Sequence, residues 1–322
     1  MNVNRGLLFW ALALITAGVV ALAVQQGLLD RDTVAGAWRL WPVILIAIGL
    51  SILLARTPFA VVGTLVAALV LGVVAGALVS VGPFVGGCGG DTPTQLAEES
   101  GSFAGATASV TLDFNCGELD VAMTEGNAWE TLTGAAGDDQ PRVEGSGDAL
   151  TVRSPSGEGF DFGEGRQRWE IALGSEVTYD LSINPNAGDI DLDLSGGQFS
   201  ELDVNPNAGA LRFDLTSTTI EDFGLNMNAG SVDITAEADS RISGSIGMNA
   251  GAVDLCVPSD VPMRFEVEGA IFGHNLDDDE HGLEQVGETF TSPGFNEADA
   301  VIDLRIEGNA ASFNLNPEGG CE

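Results

Sequence analysis

Apolar and polar residues alternate along the C-terminal half of this chain, most clearly between residues 181 and 257. Leu181, Ile183 and Pro185 occupy every second position before one turn, and apolar residues continue at alternate positions after it. Many of the positions between them are aspartates. A period of two residues is typical of β-strands with one buried face. We therefore expect strands whose apolar side chains form a core while their aspartates face solvent.

The phrase Asn-Ala-Gly lies at the turns of this pattern and occurs four times, each copy 21 residues after the previous one. Its asparagines and glycines are Asn186, Gly188, Asn207, Gly209, Asn228, Gly230, Asn249 and Gly251. Both residue types tolerate the positive φ angles of tight turns. A fixed period of this length is typical of stacked repeats. We therefore predict an all-β, β-solenoid-like C-terminal domain with regular 21-residue repeats over residues 181–257.

Two weaker copies of the pattern flank the regular repeats, at residues 114–121 and 308–315. Stacked strands lie about 4.8 Å apart, so the turn asparagines of successive repeats would form a ladder. Such a row could be structural, or it could bind a ligand. We predict the structural role, because asparagine is common at turns for its backbone conformation alone.

Three apolar runs precede the β pattern, at about residues 7–24, 41–55 and 59–85. The first and third are long enough for a helix to cross a bilayer, and the second is shorter but rich in Ile and Leu. They predict N-terminal transmembrane α-helices within residues 1–87, with the lipid bilayer as a partner. A polar linker over residues 88–102 would then lead into the β domain, residues 103–322.

Charge is distributed unevenly along the chain. The formal net charge is −35 and there is no lysine, while the residues after 90 carry eight arginines against 45 acidic residues. Such a surface repels nucleic acid and suits high solubility, divalent cations or a basic partner. No basic residue occurs between Arg56 and Arg142. Because basic residues prefer the cytoplasmic side, we predict a multi-pass plasma-membrane protein whose C-terminal domain is extracytoplasmic.

The four cysteines are candidates for disulfides, with a buried Cys256 and a free juxtamembrane Cys88 as alternatives, and their spacing does not suggest a metal site. Cys88, Cys116, Cys256 and Cys321 include no Cys-x-x-Cys spacing, and an exterior domain permits disulfides. Four cysteines allow three pairings. Cys116 with Cys256 and Cys88 with Cys321 is one of them, and the sequence leaves the choice open.

No residue pattern in the chain indicates catalysis, a cofactor or a metal. His274 and His281 flank the acidic run 277–280, but the spacing matches neither an EF-hand nor a zinc pattern. A solvated loop is the expected role, with weak cation binding as the alternative. The Gly-rich stretch 157–165 lacks the Lys and the following helix of a phosphate loop. We predict that the protein is not an enzyme.

Several segments resemble one group of bacterial proteins. Arg-Gly-Leu-Leu-Phe-Trp at residues 5–10 and the Trp-rich, Ile-rich segment 38–50 resemble the membrane region of LiaI/LiaF-type proteins. Segments 168–173, 179–183 and 262–269, together with the Asn-Ala-Gly phrases, are similar to the toast-rack domain of LiaF and its PspC-linked relatives. The resemblance implies a membrane protein of the cell-envelope stress response that restrains a membrane histidine kinase.

Two functions from different classes follow. The leading hypothesis is a membrane-anchored regulator or sensor in a bacterial-type cell-envelope stress response, acting by contact with a sensor kinase or another envelope protein. Gly72 and Gly76 would let its third helix approach a partner helix closely. The alternative is an adhesin-like or structural surface protein, with a β-solenoid rod on a membrane anchor.

Overall fold

The computed structural model describes residues 14–16, 69, 73, 93, 95–136, 140–155, 166–269, 272–276, 282–296 and 301–317. The chain divides into two units, Met1–Gly87 and Cys88–Glu322. The predicted spans 7–24, 41–55 and 59–85 lie almost entirely outside the described residues. Within the described ranges, no helix has both the length and the apolar character needed to cross a membrane.

The described part of the second unit consists of β-strands and the turns between them, as the alternating pattern predicts. The strands are β1 (Ala97–Ser102), β2 (Thr107–Asp113), β3 (Cys116–Thr124), β4 (Ala128–Ala135), β5 (Arg142–Ser146), β6 (Ala149–Arg153), β7 (Gln167–Gly174), β8 (Thr178–Ile183), β9 (Ala187–Asp193), β10 (Gln198–Val204), β11 (Ala208–Asp214), β12 (Thr219–Thr235), β13 (Arg241–Cys256), β14 (Met263–Glu268), β15 (Phe272–His274), β16 (Glu284–Val286), β17 (Thr289–Thr291) and β18 (Ile302–Leu315).

Six layers of strand stack on one another to form the centre of this β-solenoid-like unit. The layers are layer 1 (107–124, β2 and β3), layer 2 (178–193, β8 and β9), layer 3 (198–214, β10 and β11), layer 4 (219–235, β12), layer 5 (241–256, β13) and layer 6 (302–315, β18). The first half of each layer pairs in parallel with the first half of the next, which makes one face of the stack. The second halves make the second face in the same way.

The pairing register matches the spacing of the Asn-Ala-Gly phrase. Ala187, Ala208, Ala229 and Ala250 are successive partners on the second face, so neighbours in the stack are 21 residues apart in sequence. The same row continues to Cys116 in layer 1 and to Ala310 in layer 6. The two weaker copies, residues 114–121 and 308–315, therefore occupy the first and last layers.

The core lies between the two faces and is filled by the predicted apolar positions. Leu181, Ile183 and Ile190 are at most 1% exposed. Aromatic rings meet across the layers, as where Phe213 and Phe223 pack edge to face with centroids 5.9 Å apart. Because every layer buries its apolar side chains against the layers beside it, no layer forms a core alone.

Strands that cap the N-terminal end of the stack begin earlier than expected. Residues 88–102 were predicted to be a linker, but Ala97–Ser102 forms β1, which pairs antiparallel with β4. The sequence of this segment has no apolar alternation that would predict a strand. Five of its six residues are exposed, and the segment joins the sheet through its backbone. Gly101 also lets the Trp129 ring lie directly against the strand. The β domain therefore includes Ala97–Ser102.

Candidate functional site

The asparagines of the repeated phrase form a continuous ladder of side-chain hydrogen bonds along one edge of the stack. Each Nδ2 donates to the Oδ1 of the asparagine in the preceding layer, at distances between 2.8 and 3.2 Å. From layer 1 to layer 6 the members of this first amide ladder are Asn115, Asn186, Asn207, Asn228, Asn249 and Asn309. The four asparagines predicted from the sequence are thus joined by one more at each end.

The glycines of the phrase allow these layers to approach. Gly188, Gly209, Gly230 and Gly251 have φ angles between 130° and 143°, a region that residues with a Cβ rarely adopt. A Cβ on any of them would also overlap the carbonyl oxygen of the glycine in the preceding layer, which is Gly117 in the case of Gly188. The glycine of the Asn-Ala-Gly phrase is therefore required by backbone geometry.

A second amide ladder runs beside the first on the first face. Asn184 donates to the Asp113 carboxylate at 3.1 Å, Asn205 to Asn184 at 3.3 Å, and Asn226 to Asn205 at 3.2 Å. We did not predict this ladder from the sequence. Its signal was present, because these asparagines each precede the repeated phrase by two residues, at the same 21-residue spacing.

Asp113 fixes the direction of the second amide ladder. A carboxylate only accepts hydrogen bonds, so Asn184 must donate to it, and Oδ1 of Asn184 is then the acceptor for Asn205. The first amide ladder has the same direction. Both ladders therefore point their Nδ2 donors toward layer 1 and their Oδ1 acceptors toward layer 6.

The second amide ladder stops in layer 5, and an open groove of about 480 Å³ occupies the gap. The partner of Asn226 there is Gly247, whose own partner in layer 6 is Glu307. The polar side chains that line the groove are those of Asn226, Asn228, Asn249, Glu268, Glu307 and Asn309. The fourth repeat has glycine at this position, where the three preceding repeats have asparagine.

One arginine lies beside the two carboxylates of the groove. Arg305 Nη2 is 2.7 Å from Glu268 Oε1, and its Nε is 3.2 Å from Glu307 Oε1. The neighbouring Glu268 and Glu266 carboxylates raise the pKa of Arg305. The guanidinium is therefore shared among more carboxylates than it can neutralise.

The second face carries a row of acidic side chains on its solvent side. Asp120 and Asp191 are direct partners, as are Asp233 and Asp254, and Arg212 lies between the two pairs. Burial raises the pKa of Asp120, and the Asp191 carboxylate raises it further. Arg212 Nη1 is bound to Asp191 at 2.8 Å. Among the described residues, no group of His, Cys, Asp and Glu side chains has an arrangement suited to a metal ion.

The structure excludes one of the disulfide pairings that the sequence left open. Cys116 and Cys256 are both disulfide-bonded. The row from Cys116 to Ala250 crosses four strand spacings, which is about 19 Å, and Cys256 lies six residues beyond Ala250 in β13. Bonded cysteines have Cα atoms within about 7 Å of each other, so Cys116 and Cys256 are not bonded to one another. Cys88 and Cys321 lie outside the described residues.

The remaining candidates are packed or lie outside the described residues. His274 packs edge to face against Phe290, with ring centroids 5.1 Å apart. His281, the acidic run 277–280 and the Gly-rich stretch from residue 157 to 165 lie outside the described residues.

Family models match two separate segments of the chain. The model of the LiaI-LiaF-like transmembrane region matches residues 8–53, and that of the N-terminal domain of toast_rack matches residues 97–237. The order of the two matches agrees with the predicted architecture, a LiaI-LiaF-like transmembrane region followed by a toast-rack domain. The first match indicates a membrane protein, and neither family model is that of an enzyme. The toast-rack match contains layers 1 to 4 and ends before layers 5 and 6, which hold Gly247 and Glu307.

Solved structures of similar proteins were also found. A suggested cell adhesion protein from Clostridium sporogenes is 15% identical, with a TM-score of 0.43 over 69% of this chain and 99% of that chain. A suggested adhesin from Bacteroides fragilis is 11% identical, with a TM-score of 0.24 over 70% of this chain and 100% of that chain. No curated protein matches the chain.

Proposed function

We propose that this toast-rack protein is a membrane-anchored regulator or sensor in a bacterial cell-envelope stress response, and that it acts by protein contact. The observation that carries the proposal is the joining of a LiaI-LiaF-like transmembrane region to a toast-rack domain in one chain. In this role the membrane region contacts a partner such as a membrane sensor kinase, and the β domain contacts an envelope component.

The β domain serves this role as a rigid platform. We propose that residues 181–257 form a run of 21-residue structural repeats, a view supported by partners that are 21 residues apart in layers 2 to 5. The first amide ladder holds the turns of these layers together. Stacked layers move little against one another, because each buries its core side chains on its neighbours.

The proposed orientation places the β domain outside the cytoplasm, after several membrane passes of the N-terminal region. It is supported by the absence of basic residues between Arg56 and Arg142, since basic residues favour the cytoplasmic side. The disulfide-bonded state of Cys116 and Cys256 also supports it, because disulfides persist in oxidising compartments.

Exchanging the membrane region separates regulation from adhesion. Residues 1–87 are replaced by an unrelated anchor of the same topology, and a stress-response reporter is followed in the host that carries the protein. We expect the regulation to be lost while the β domain stays at the surface, because the membrane region makes the contact with the partner. Unchanged regulation together with intact cell attachment would contradict the proposal and favour the adhesin-like function, in which the membrane region is only an anchor.

A narrower pair of variants tests the helix contact itself. Gly72→Leu combined with Gly76→Leu would prevent close approach of helices without changing charge or hydrophobic length. The matched control places leucine at Ala67 and Ala77, in the same predicted span but on a different side of the helix from Gly72 and Gly76. The proposal expects deregulation with the glycine variant only. An equal effect of both variants would argue against a contact through these glycines.

A further inference from the structure

The last Oδ1 acceptors of both amide ladders belong to residues that line the groove beside Gly247. Within the second amide ladder, Asn226 donates through Nδ2 to Asn205, which directs Oδ1 of Asn226 toward layer 5, where Gly247 offers no side chain. Within the first amide ladder, Asn309 donates to Asn249, which directs Oδ1 of Asn309 away from the stack. Chains of hydrogen bonds polarise one another, so the accumulated dipole has its negative end at the groove.

The groove is wide enough for a side chain from another molecule. Asn226 and Glu307 are separated by two strand spacings, about 10 Å between their backbones, with only Gly247 between them. An added Cβ on Gly247 would lie 3.0 Å from Asn226 Oδ1, a tight contact, so this amide oxygen lies close to the glycine at the edge of the groove.

Charge in the groove is negative as well. The carboxylates of Glu268 and Glu307 share the single Arg305 guanidinium. The surrounding domain adds a strongly negative field, because the residues after 90 include 45 acidic residues and eight arginines. The field would draw a cation to the groove, and the amide and carboxylate oxygens would accept its hydrogen bonds.

We propose that this groove binds an arginine-bearing segment of a protein partner. A guanidinium offers five donors in a planar fork, which suits acceptors on two sides of a gap better than the compact ammonium of lysine. No aromatic ring is present among the residues that line the groove, so it lacks a surface for stacking a sugar ring. The inference rests on the proposed function, because it assigns a chemistry to the protein contact made by the β domain.

Gly247→Asn is the decisive variant, because it restores the residue that the three preceding copies carry at this position. The new amide would extend the second amide ladder from Asn226 and fill the gap. Gly247 has no positive φ, so the substitution is compatible with its backbone. The matched control is Gly196→Asn, which adds the same side chain at an open turn with no atom within 4 Å of the new Cβ.

Binding is measured with the full-length protein in phosphatidylcholine nanodiscs, a neutral lipid that does not attract a cationic probe. The probe is a fluorescent Gly-Ser peptide with two arginines, compared with the same peptide carrying lysines and with a chitosan oligomer. We expect Gly247→Asn to weaken binding of the arginine peptide at least about ten-fold, as is typical when charge-assisted hydrogen bonds are lost. Gly196→Asn should leave binding unchanged.

A second variant covers the case in which Gly247→Asn fails to fold. Glu307→Gln removes one groove carboxylate and should weaken binding about ten-fold. Its control, Glu221→Gln, removes the same charge at an exposed position in layer 4. Equal losses with Glu307→Gln and Glu221→Gln would show general attraction to an acidic surface and overturn the proposal. Tighter binding of the chitosan oligomer than of the arginine peptide would also overturn it.

These outcomes are separable from a failure of the proposed function. Unchanged regulation after the exchange of residues 1–87 would remove the regulatory role, whereas the peptide measurement in nanodiscs does not depend on signalling. Conversely, full binding by a folded Gly247→Asn protein would remove the groove and leave the membrane contact untouched.

Discussion

At the scale of single residues, the glycines of the repeated phrase have the strictest requirement. Gly209 combines a φ of 138° with a neighbour, the Gly188 carbonyl oxygen, that leaves no room for a Cβ. Gly196 also has a positive φ, of 74°, but open space around its Cβ position. Alanine variants at the two glycines therefore distinguish the cost of a positive φ angle from the cost of steric overlap.

Gly209→Ala should reduce the free energy of unfolding by about 3 kcal/mol, because strain at φ > 0 adds to the displacement of a neighbouring strand. Gly196→Ala should cost only about 1 kcal/mol, which is the backbone term alone. Urea unfolding of the two variants measures the difference. Equal costs would mean that the layers adjust to a side chain at Gly209.

Paired aspartates on the second face also act at this scale. Burial raises the pKa of Asp233, and the Asp254 carboxylate in the next layer raises it further. A carboxyl group with a higher pKa in the folded state than in the unfolded state binds its proton more tightly when folded. Its contribution to stability therefore grows as the pH falls through the folded pKa, and is absent above that pKa.

Asp254→Asn should lower the pKa of Asp233, because it removes the like charge while its amide oxygen still accepts from Asn314, as the carboxylate does at 2.7 Å. The gain in stability on mild acidification should shrink accordingly. NMR titration of the Asp233 carboxyl carbon measures the pKa. Asp222→Asn, an exposed aspartate of the same strand, is the control and should leave it unchanged. A pKa that does not move would assign the shift to burial alone.

At the scale of elements, the first amide ladder joins turns that are distant in the chain. Its steps cover 21 residues between layers 2 and 3, but 71 between layers 1 and 2 and 60 between layers 5 and 6. The Asn-Ala-Gly copies alone therefore did not reveal its two end members. Asn115 and Asn309 belong to the two weaker copies of the pattern, and strand pairing shows that they lie in the same row.

Removing an inner member of this ladder should cost more than removing an end member. Asn207→Ala leaves Asn186 Oδ1 and Asn228 Nδ2 without their ladder partners, whereas Asn309→Ala affects only Asn249. Because the side chains are exposed and water replaces part of the loss, we expect about 1 kcal/mol for Asn207→Ala and less for Asn309→Ala. Thermal unfolding of both variants provides the comparison. The reverse order would show that the ladder is not a structural unit.

At the scale of the whole molecule, layer stacking decides which cysteines can meet. Cys116 belongs to layer 1 and Cys256 to layer 5, and both are disulfide-bonded. Peptide mapping of the non-reduced protein should therefore yield no peptide in which Cys116 is joined to Cys256. Mapping after reduction is the control for recovery of both peptides. Detection of the joined peptide would contradict the register of the stack.

Local sequence patterns determined several features of this protein by themselves. The alternation around Leu181 and Ile190 specified strands with one buried face, because side chains in a strand point to opposite sides in turn. The Asn-Ala-Gly phrase specified the turns and the glycines that they require. Apolar runs and charge indicated a membrane region followed by an acidic domain, and the family models agree with the membrane region and the β domain.

Only the tertiary structure determined which distant segments of the chain lie next to one another. It assigned β1 to the domain, placed residues 114–121 and 308–315 in the end layers, and separated Cys116 from Cys256. It also showed that Gly247 lines a groove between Asn226 and Glu307. The physical reason is that backbone hydrogen bonds between strands are the same for every sequence. A strand's own pattern therefore tells which face it buries, but not which distant strand becomes its neighbour.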